Sequence, residues 1–391
     1  MVYPNLMKSE TNCIQIPGPL IIGAGPSGLA VAACLRLKGV PFLIVEKERC
    51  LASLWKLKTY DRLKLHLPKE FCQLPFMPFP HDFPAYPTKQ QFITYLEAYA
   101  NHFSITPRYG EGVHWAHYDP AKCLWHVRVN EVVYLCRWLI VATGENAVPV
   151  LPNIPGLQDF NGRILHTSDY KNGDEYRGKK VLVVGCGNSG MEISLDLCNY
   201  DAQVSLVVRH ELHVLPKEML GRSTVALSMR LLKWLPLRLV DRLLILSSWL
   251  IHGDTSRRGI VRPKTGPLQL KEATGRTPVL DVGSMAKINS GEIKVVRGIK
   301  KFTPNGAEFM GGGTEGFDTV ILATGYRSNV ASWLKEEDFI SEKDGNSANT
   351  FPKGWKGENG IYSVGFSRQG LLGVSIDARR VAEDLVGQWK S

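Results

Sequence analysis

No stretch of this 391-residue sequence is both uncharged and apolar over the roughly 18–20 residues that a bilayer demands. The nearest approach, residues 225–251, is interrupted by Arg230, Lys233, Arg238, Asp241 and Arg242. Its pattern predicts an amphipathic helical segment packed on the protein, with a membrane surface as the alternative resting place. No basic segment followed by an apolar core and a cleavage site opens the chain, so a secretory leader is not expected. Cysteine is thinly spread: the eight residues Cys13, Cys34, Cys50, Cys72, Cys123, Cys136, Cys186 and Cys198 include no C-x-x-C pair. That spacing argues against a structural zinc site and a redox-active dithiol, and predicts free thiols in a reduced, cytoplasmic compartment.

With 44% hydrophobic and 21% charged residues, the composition is globular, which excludes a disordered tail, a coiled coil or a collagen-like repeat. Lys and Arg outnumber Asp and Glu by 47 to 37, a net charge of +10. Aromatic residues do not interleave with the basic cluster Arg257, Arg258, Arg262 and Lys264. Nucleic acid is therefore not the expected partner, and an anionic small ligand is.

The most informative feature is an internal echo. Pro19-Leu20-Ile21-Ile22 leads into Gly23-Ala24-Gly25-Pro26-Ser27-Gly28, and Val181-Leu182-Val183-Val184 leads into Gly185-Cys186-Gly187-Asn188-Ser189-Gly190. Each copy reads as strand, glycine turn, helix and second strand, with helices over about 27–38 and 189–198 and second strands over 42–46 and 203–208. That order implies a parallel sheet with right-handed crossovers. A second echo, the apolar strands Leu139–Val141 and Val320–Leu322 each ending in Ala-Thr-Gly, brackets the second glycine motif. The fold class expected is α/β, with two Rossmann-like dinucleotide domains, the second inserted into the first. The boundaries read as 1–160 and 320–391 for the outer domain and 161–319 for the inner one. The proline-rich segment 74–87 reads as a surface loop.

Each G-x-G-x-x-G follows a strand and opens a helix, which is the context that gives the motif meaning. Gly23 and Gly185 allow the tight turn, and Gly25 and Gly187 leave room for a pyrophosphate against bare backbone. Gly28 and Gly190 let helix and strand approach. Glu46, ending the first copy's second strand, suits a ribose hydroxyl and hence FAD. Arg209, at the matching place in the second copy, suits the 2′-phosphate of NADPH. Two such sites without a cysteine pair predict a flavoprotein whose electrons go to oxygen.

Between the two copies, residues 160–170 read FNGRILHTSDY, with Phe160, Gly162, His166 and Tyr170 at the spacing F-x-G-x-x-x-H-x-x-x-Y. In this position the segment resembles the identifying motif of class B flavin-dependent monooxygenases. Tyr170, where Baeyer–Villiger enzymes carry tryptophan, separates it from that branch. Residues 60–72 (YDRLKLHLPKEFC), 86–92 (YPTKQQF), 142–147 (ATGENA) and 370–378 (GLLGVSIDA) resemble the plant YUCCA flavin monooxygenases. The likeness runs from about Leu20 to Leu385.

That resemblance implies an NADPH- and O2-dependent enzyme that turns indole-3-pyruvate into the auxin indole-3-acetate through a flavin C4a-(hydro)peroxide. It implies that His166 organises the linker against NADP. His66 stands where animal and bacterial relatives carry asparagine, and Ala52-Ser53 replaces a glycine pair before Trp55. Both differences argue against amine or sulfide oxygenation. His66 and Asn146 are the candidate catalytic groups near the flavin, Trp55 is expected to pack beside it, and the glycines of 370–378 are expected to lead a helix toward its ring. The competing readings are an N- or S-oxygenating monooxygenase and a non-catalytic FAD- and NADP-binding sensor.

Overall fold

The computed structural model describes residues 12–335 and 354–390, and in it each glycine motif leaves the carboxyl end of a strand in its own parallel sheet. The first sheet orders its strands as Ile361–Ser363, Leu139–Val141, Leu20–Ile22, Leu43–Glu46 and Arg108–Tyr109. These strands are continuous apolar runs because both faces are covered. Ile21, Ile44 and Ile140 face helix α1 (Pro26–Leu37), helix α3 (Lys89–His102) and the C-terminal helix Gly370–Trp389, with the short α2 (Ser53–Leu57) beside them. Leu20, Ile22, Leu139 and Val141 face Trp125, Val127 and Tyr134 of a second, four-stranded sheet. Each fully buried aliphatic side chain contributes roughly 1.5–3 kcal/mol, so the glycine turn rests on a rigid base.

The second half repeats the plan. Its strands run Arg163–His166, Thr319–Leu322, Lys180–Val184, Gln203–Val207 and Ile293–Val296, all parallel. Val181, Val183 and Ile321 pack on helix α4 (Asn188–Asn199) through Met191, Ile193 and Leu197. Leu182, Val184, Val320 and Leu322 pack on Phe302, Phe309 and Phe317 at a three-stranded antiparallel sheet. The duplication read from the glycine motifs thus extends to the covering layers.

Two expectations need correction. The strand Thr319–Leu322, expected at the start of the returning outer domain, pairs with Arg163–His166 and Lys180–Val184 in the second sheet. The crossing between halves lies later, where Tyr326–Arg327 runs antiparallel to Val148–Pro149, and Ile361–Ser363 completes the first sheet. The physical reason is that an Ala-Thr-Gly strand ends one strand of each sheet, not two of the same one. The 74–87 segment has no regular structure but is no mere surface loop. Leu74 and Phe79 are buried in the first core, and Phe79 stacks on Tyr95 with ring centroids 4.0 Å apart. The segment around 225–251 forms two helices, α5 (Thr224–Leu231) and α6 (Leu237–His252), with Pro236 capping the second.

Candidate functional site

The first glycine turn opens into a cleft of about 250 Å³ lined by Gly23, Gly25, Pro26, Ser27, Glu46, Trp55 and Asn146 among others. Ala24 and Gly28 are buried behind this wall. A Cβ placed on Gly28 would collide with the carbonyl of Gly23, whose own φ is +108°. Bare backbone is needed there for helix and strand to meet. A Cβ placed on Gly25 meets no protein atom within 4 Å. That glycine leaves empty space at the N-terminus of α1, where unpaired N–H groups favour an anion. Glu46, buried at the strand end, accepts Ala24 N–H at 2.8 Å on one oxygen, and Glu48 N–H at 3.1 Å and the Ser53 hydroxyl at 3.2 Å on the other. A carboxylate accepts about four hydrogen bonds, so Glu46 holds the turn in place and keeps one acceptor site for a ribose hydroxyl.

Two further cleft-lining groups fit a bound dinucleotide. The Thr143 hydroxyl and the Asn329 side-chain oxygen are buried without a protein partner, a condition that buried polar atoms rarely keep unless a ligand or water completes them. Trp55, on α2, packs edge-on against Phe92 with centroids 4.5 Å apart while its other side lines the cleft. Glu145, beside Asn146, is pushed above its ordinary value by burial, against the opposing pull of Arg368 just ahead of the C-terminal helix.

The second cradle has the same geometry. Gly185 has φ +114°, a Cβ on Gly190 would meet the Gly185 carbonyl, and one on Gly187 meets nothing within 4 Å. The Asn188 side chain is occupied structurally, accepting Leu280 N–H at 2.9 Å. The Cys186 thiol is pushed up to about 12 by burial, which makes it a poor nucleophile, and all eight cysteines are unpaired. Arg209 lies exposed just beyond the strand Gln203–Val207, free to meet a phosphate. The residues present fit FAD in the first cradle and NADPH in the second.

His166 is buried in the linker strand. Its Nδ1 accepts the Ser168 backbone N–H at 3.2 Å, which assigns the proton to Nε2, 3.1 Å from the Gly325 carbonyl. Burial holds its pKa below the ordinary value, so the ring is neutral. It ties the linker to the end of the second Ala-Thr-Gly strand, beside the edge of Tyr326 at 4.8 Å. Gly162 is needed because a Cβ would strike the Phe160 ring and the Asp318 carbonyl. Tyr170 is fully buried and donates to Asp196 at 2.7 Å.

His66 is not among the residues that line the flavin cleft. Its Nε2 is 2.9 Å from Glu192, whose other oxygen accepts the Tyr60 hydroxyl at 2.7 Å. Burial alone would raise the Glu192 pKa, but His66, Tyr60 and Arg62 outweigh it and hold the carboxyl below its ordinary range. Arg62 reaches Asp196, one turn on, at 3.7 Å. The segment 60–66 of the first half is thus bonded to α4 of the second, and between them opens another cleft, lined by Arg62, Lys64, Glu192, Asp196 and Lys217. Sequence reasoning missed Glu192 and Asp196. Their signal was available: two carboxylates one turn apart in an otherwise apolar helix require buried partners.

Comparison with known proteins agrees with this geometry. The family model for flavin-binding monooxygenase-like proteins matches residues 121–348, and that for pyridine nucleotide-disulphide oxidoreductases matches residues 20–220. "Indole-3-pyruvate monooxygenase YUCCA6" of Arabidopsis thaliana is 56% identical over 98% of this chain and 94% of its own length. "Indole-3-pyruvate monooxygenase YUCCA1" of Oryza sativa subsp. japonica is 55% identical over 99% and 95%. Among solved structures, a flavin-containing monooxygenase from Stenotrophomonas maltophilia superposes with a TM-score of 0.73 at 20% identity, covering 96% of this chain and 99% of that one. A cyclohexanone monooxygenase gives 0.77 at 16% identity, covering 97% and 88%, a likeness of fold alone. With both cradles, the linker and full-length kinship in agreement, the chain belongs to the flavin-binding monooxygenase-like family, among its YUCCA-type members.

Proposed function

We propose that this monooxygenase converts indole-3-pyruvate to indole-3-acetate in the cytoplasm, consuming one NADPH, one proton and one O2 and releasing carbon dioxide, water and NADP+. The observation that carries the reading is the identity of more than half the residues, over nearly the whole chain, to proteins named for this reaction. FAD reduced by NADPH supplies the oxygen-activating chemistry when bound.

The chain's own residues bind, orient and exclude water. The outer half, built on the Gly23–Gly28 turn, holds the FAD pyrophosphate against α1, and Glu46 receives a ribose hydroxyl. The inner half, built on the Gly185–Gly190 turn, holds NADPH, with Arg209 on the 2′-phosphate. Trp55 and Asn146 form the cleft wall. His166, neutral and bonded at both nitrogens, holds the linker in register with the Gly325 carbonyl and moves no proton. His66, bonded to Glu192, acts as a positioning residue between the halves. The apolar backing of the cleft keeps water from diverting the activated oxygen to hydrogen peroxide.

The test is turnover of indole-3-pyruvate with NADPH under labelled dioxygen. The expected product is indole-3-acetate carrying one labelled oxygen, absent without NADPH, with one carbon dioxide per NADPH in the coupled reaction. Hydrogen peroxide alone, or efficient oxygenation of an amine or sulfide instead, overturns the substrate assignment. A flavin that NADPH does not bleach would indicate a non-catalytic binder.

A further inference from the structure

Helix α6 is apolar on the side that faces away from the protein. Its inner side is spent on packing. Val240, Asp241, Leu244, Ser248 and His252 are buried. The Ser248 hydroxyl donates to the Val214 carbonyl at 2.7 Å, and Asp241 accepts Leu268 and Gln269 N–H at 2.8 and 3.1 Å. The outer side carries Leu239, Leu243, Leu246 and Leu250, a stripe at i, i+4, i+7 and i+11. Leu246 is 53% and Leu250 68% exposed, with Trp249 alongside at 53%. Trp234, at the turn between α5 and α6, is 84% exposed, and Leu220, at the tip of the hairpin Glu218–Ser223, is 97% exposed. That hairpin is held to α6 by Ser247 and Met219. A surface helix ordinarily puts polar residues where this one puts leucine, and a contiguous exposed apolar patch marks an interaction surface.

The charge around the stripe identifies what covers it. Arg222, Arg230, Lys233, Arg238 and Arg242 are all exposed. Within α5, α6 and the turn between them the sole acidic residue is Asp241, which is buried and faces inward, and the exposed carboxylates Glu218 and Asp254 flank the face at its edges. Two copies of this face brought together would oppose five exposed cations on each side with only the flanking Glu218 and Asp254 to answer them, so self-association through it is disfavoured. An anionic lipid surface neutralises the same cations and accepts the leucines below its headgroups. Trp234 and Trp249, near the two ends of α6, are the amphipathic aromatics that favour the membrane–water boundary. Among the described residues no helix is long and apolar enough to cross a membrane, so the contact is peripheral.

We propose that the outer face of α6, with the α5–α6 turn and the Leu220 tip, docks the enzyme onto anionic membrane surfaces. This surface belongs to the second half and is separate from the flavin cleft, so docking and turnover are measured independently. The experiment is flotation of the full-length, FAD-loaded protein with vesicles of phosphatidylcholine alone or of phosphatidylcholine containing phosphatidylserine. The wild type is expected to float with the anionic vesicles, to stay in solution with the neutral ones, and to be released by added salt. The double change Arg238→Gln, Arg242→Gln should weaken partitioning about thirtyfold, at the weight usual for a basic side chain near such a surface. Leu246→Glu with Leu250→Glu should abolish flotation while leaving flavin content and NADPH oxidation unchanged, which separates loss of docking from loss of fold. Equal flotation with both vesicle types, none with either, or unchanged flotation of the leucine variant overturns the proposal. So does a wild type that dimerises in solution through this face, detected by light scattering and lost in the leucine variant.

Discussion

At the scale of single residues, the glycines of one turn do different jobs, and substitution separates them. Gly25 has open space over its Cβ position and an ordinary negative φ of −82°. Gly25→Val should therefore fold normally yet emerge colourless, because its side chain occupies the pyrophosphate site. Gly28→Ala instead drives a methyl group into the Gly23 carbonyl. That variant should lose soluble protein as well as flavin. Flavin absorbance and circular dichroism on both variants check the pair, and a full FAD complement in Gly25→Val would contradict the cradle assignment. Arg209 is exposed at the end of its strand, so its removal has little to disturb in the fold. A charge-assisted hydrogen bond contributes about 1.5–3 kcal/mol, so Arg209→Ala should weaken use of NADPH by roughly 10- to 150-fold. NADH should be nearly unaffected. Steady-state kinetics with both nucleotides decides it, since equal losses would mean a structural role.

At the scale of elements, α4 is both the nucleotide helix of the second half and the docking post for the first. Glu192 receives Tyr60 and His66 from a segment more than a hundred residues away. Glu192→Ala leaves the buried Tyr60 hydroxyl without that partner, which costs about 1–3 kcal/mol, and should lower the melting temperature of the holoprotein clearly. The pH dependence has a definite sign. Folding holds the Glu192 carboxyl below its ordinary 4.5, so between the two values the unfolded chain binds the extra proton. Its stabilisation is complete above about 4.5 and is lost as pH falls through the folded value. Denaturant titrations across that acidic window should show a shallower loss for Glu192→Gln than for the wild type. Parallel slopes would mean that Glu192 is not held as a carboxylate.

At the scale of the whole molecule, four histidines share one behaviour. His126, His166, His213 and His252 are all held below the ordinary value of 6.5, in each case chiefly by burial. They stay neutral in the folded protein and take up protons when it unfolds. Stability should therefore fall as pH drops below about 6.5, well before the carboxylates begin to titrate. Melting curves from pH 7.5 down to 5 would register this decline, and His166→Gln, which removes one such group, should flatten it slightly. A flat profile across that window would show that these rings are charged in the folded state.

Much of this protein is written in short stretches of its sequence. The two glycine motifs, their flanking strands and helices, the contrast between Glu46 and Arg209, and the linker around His166 are all local patterns. Their chemistry depends on a turn or a strand end that a dozen residues specify, so they could be read without any contact. Three things depended on tertiary structure. Thr319–Leu322 is apolar on both faces and would suit either parallel sheet, and only its neighbours, Arg163–His166 and Lys180–Val184, place it in the second. The partner of His66, Glu192, lies far along the chain and across the gap between the halves, where no local pattern could announce it. The periodicity of α6 announced an apolar stripe but not which side the fold would cover. Local sequence specifies a residue's conformation and chemistry, whereas burial and partnership are settled only when distant segments compete for the same surface.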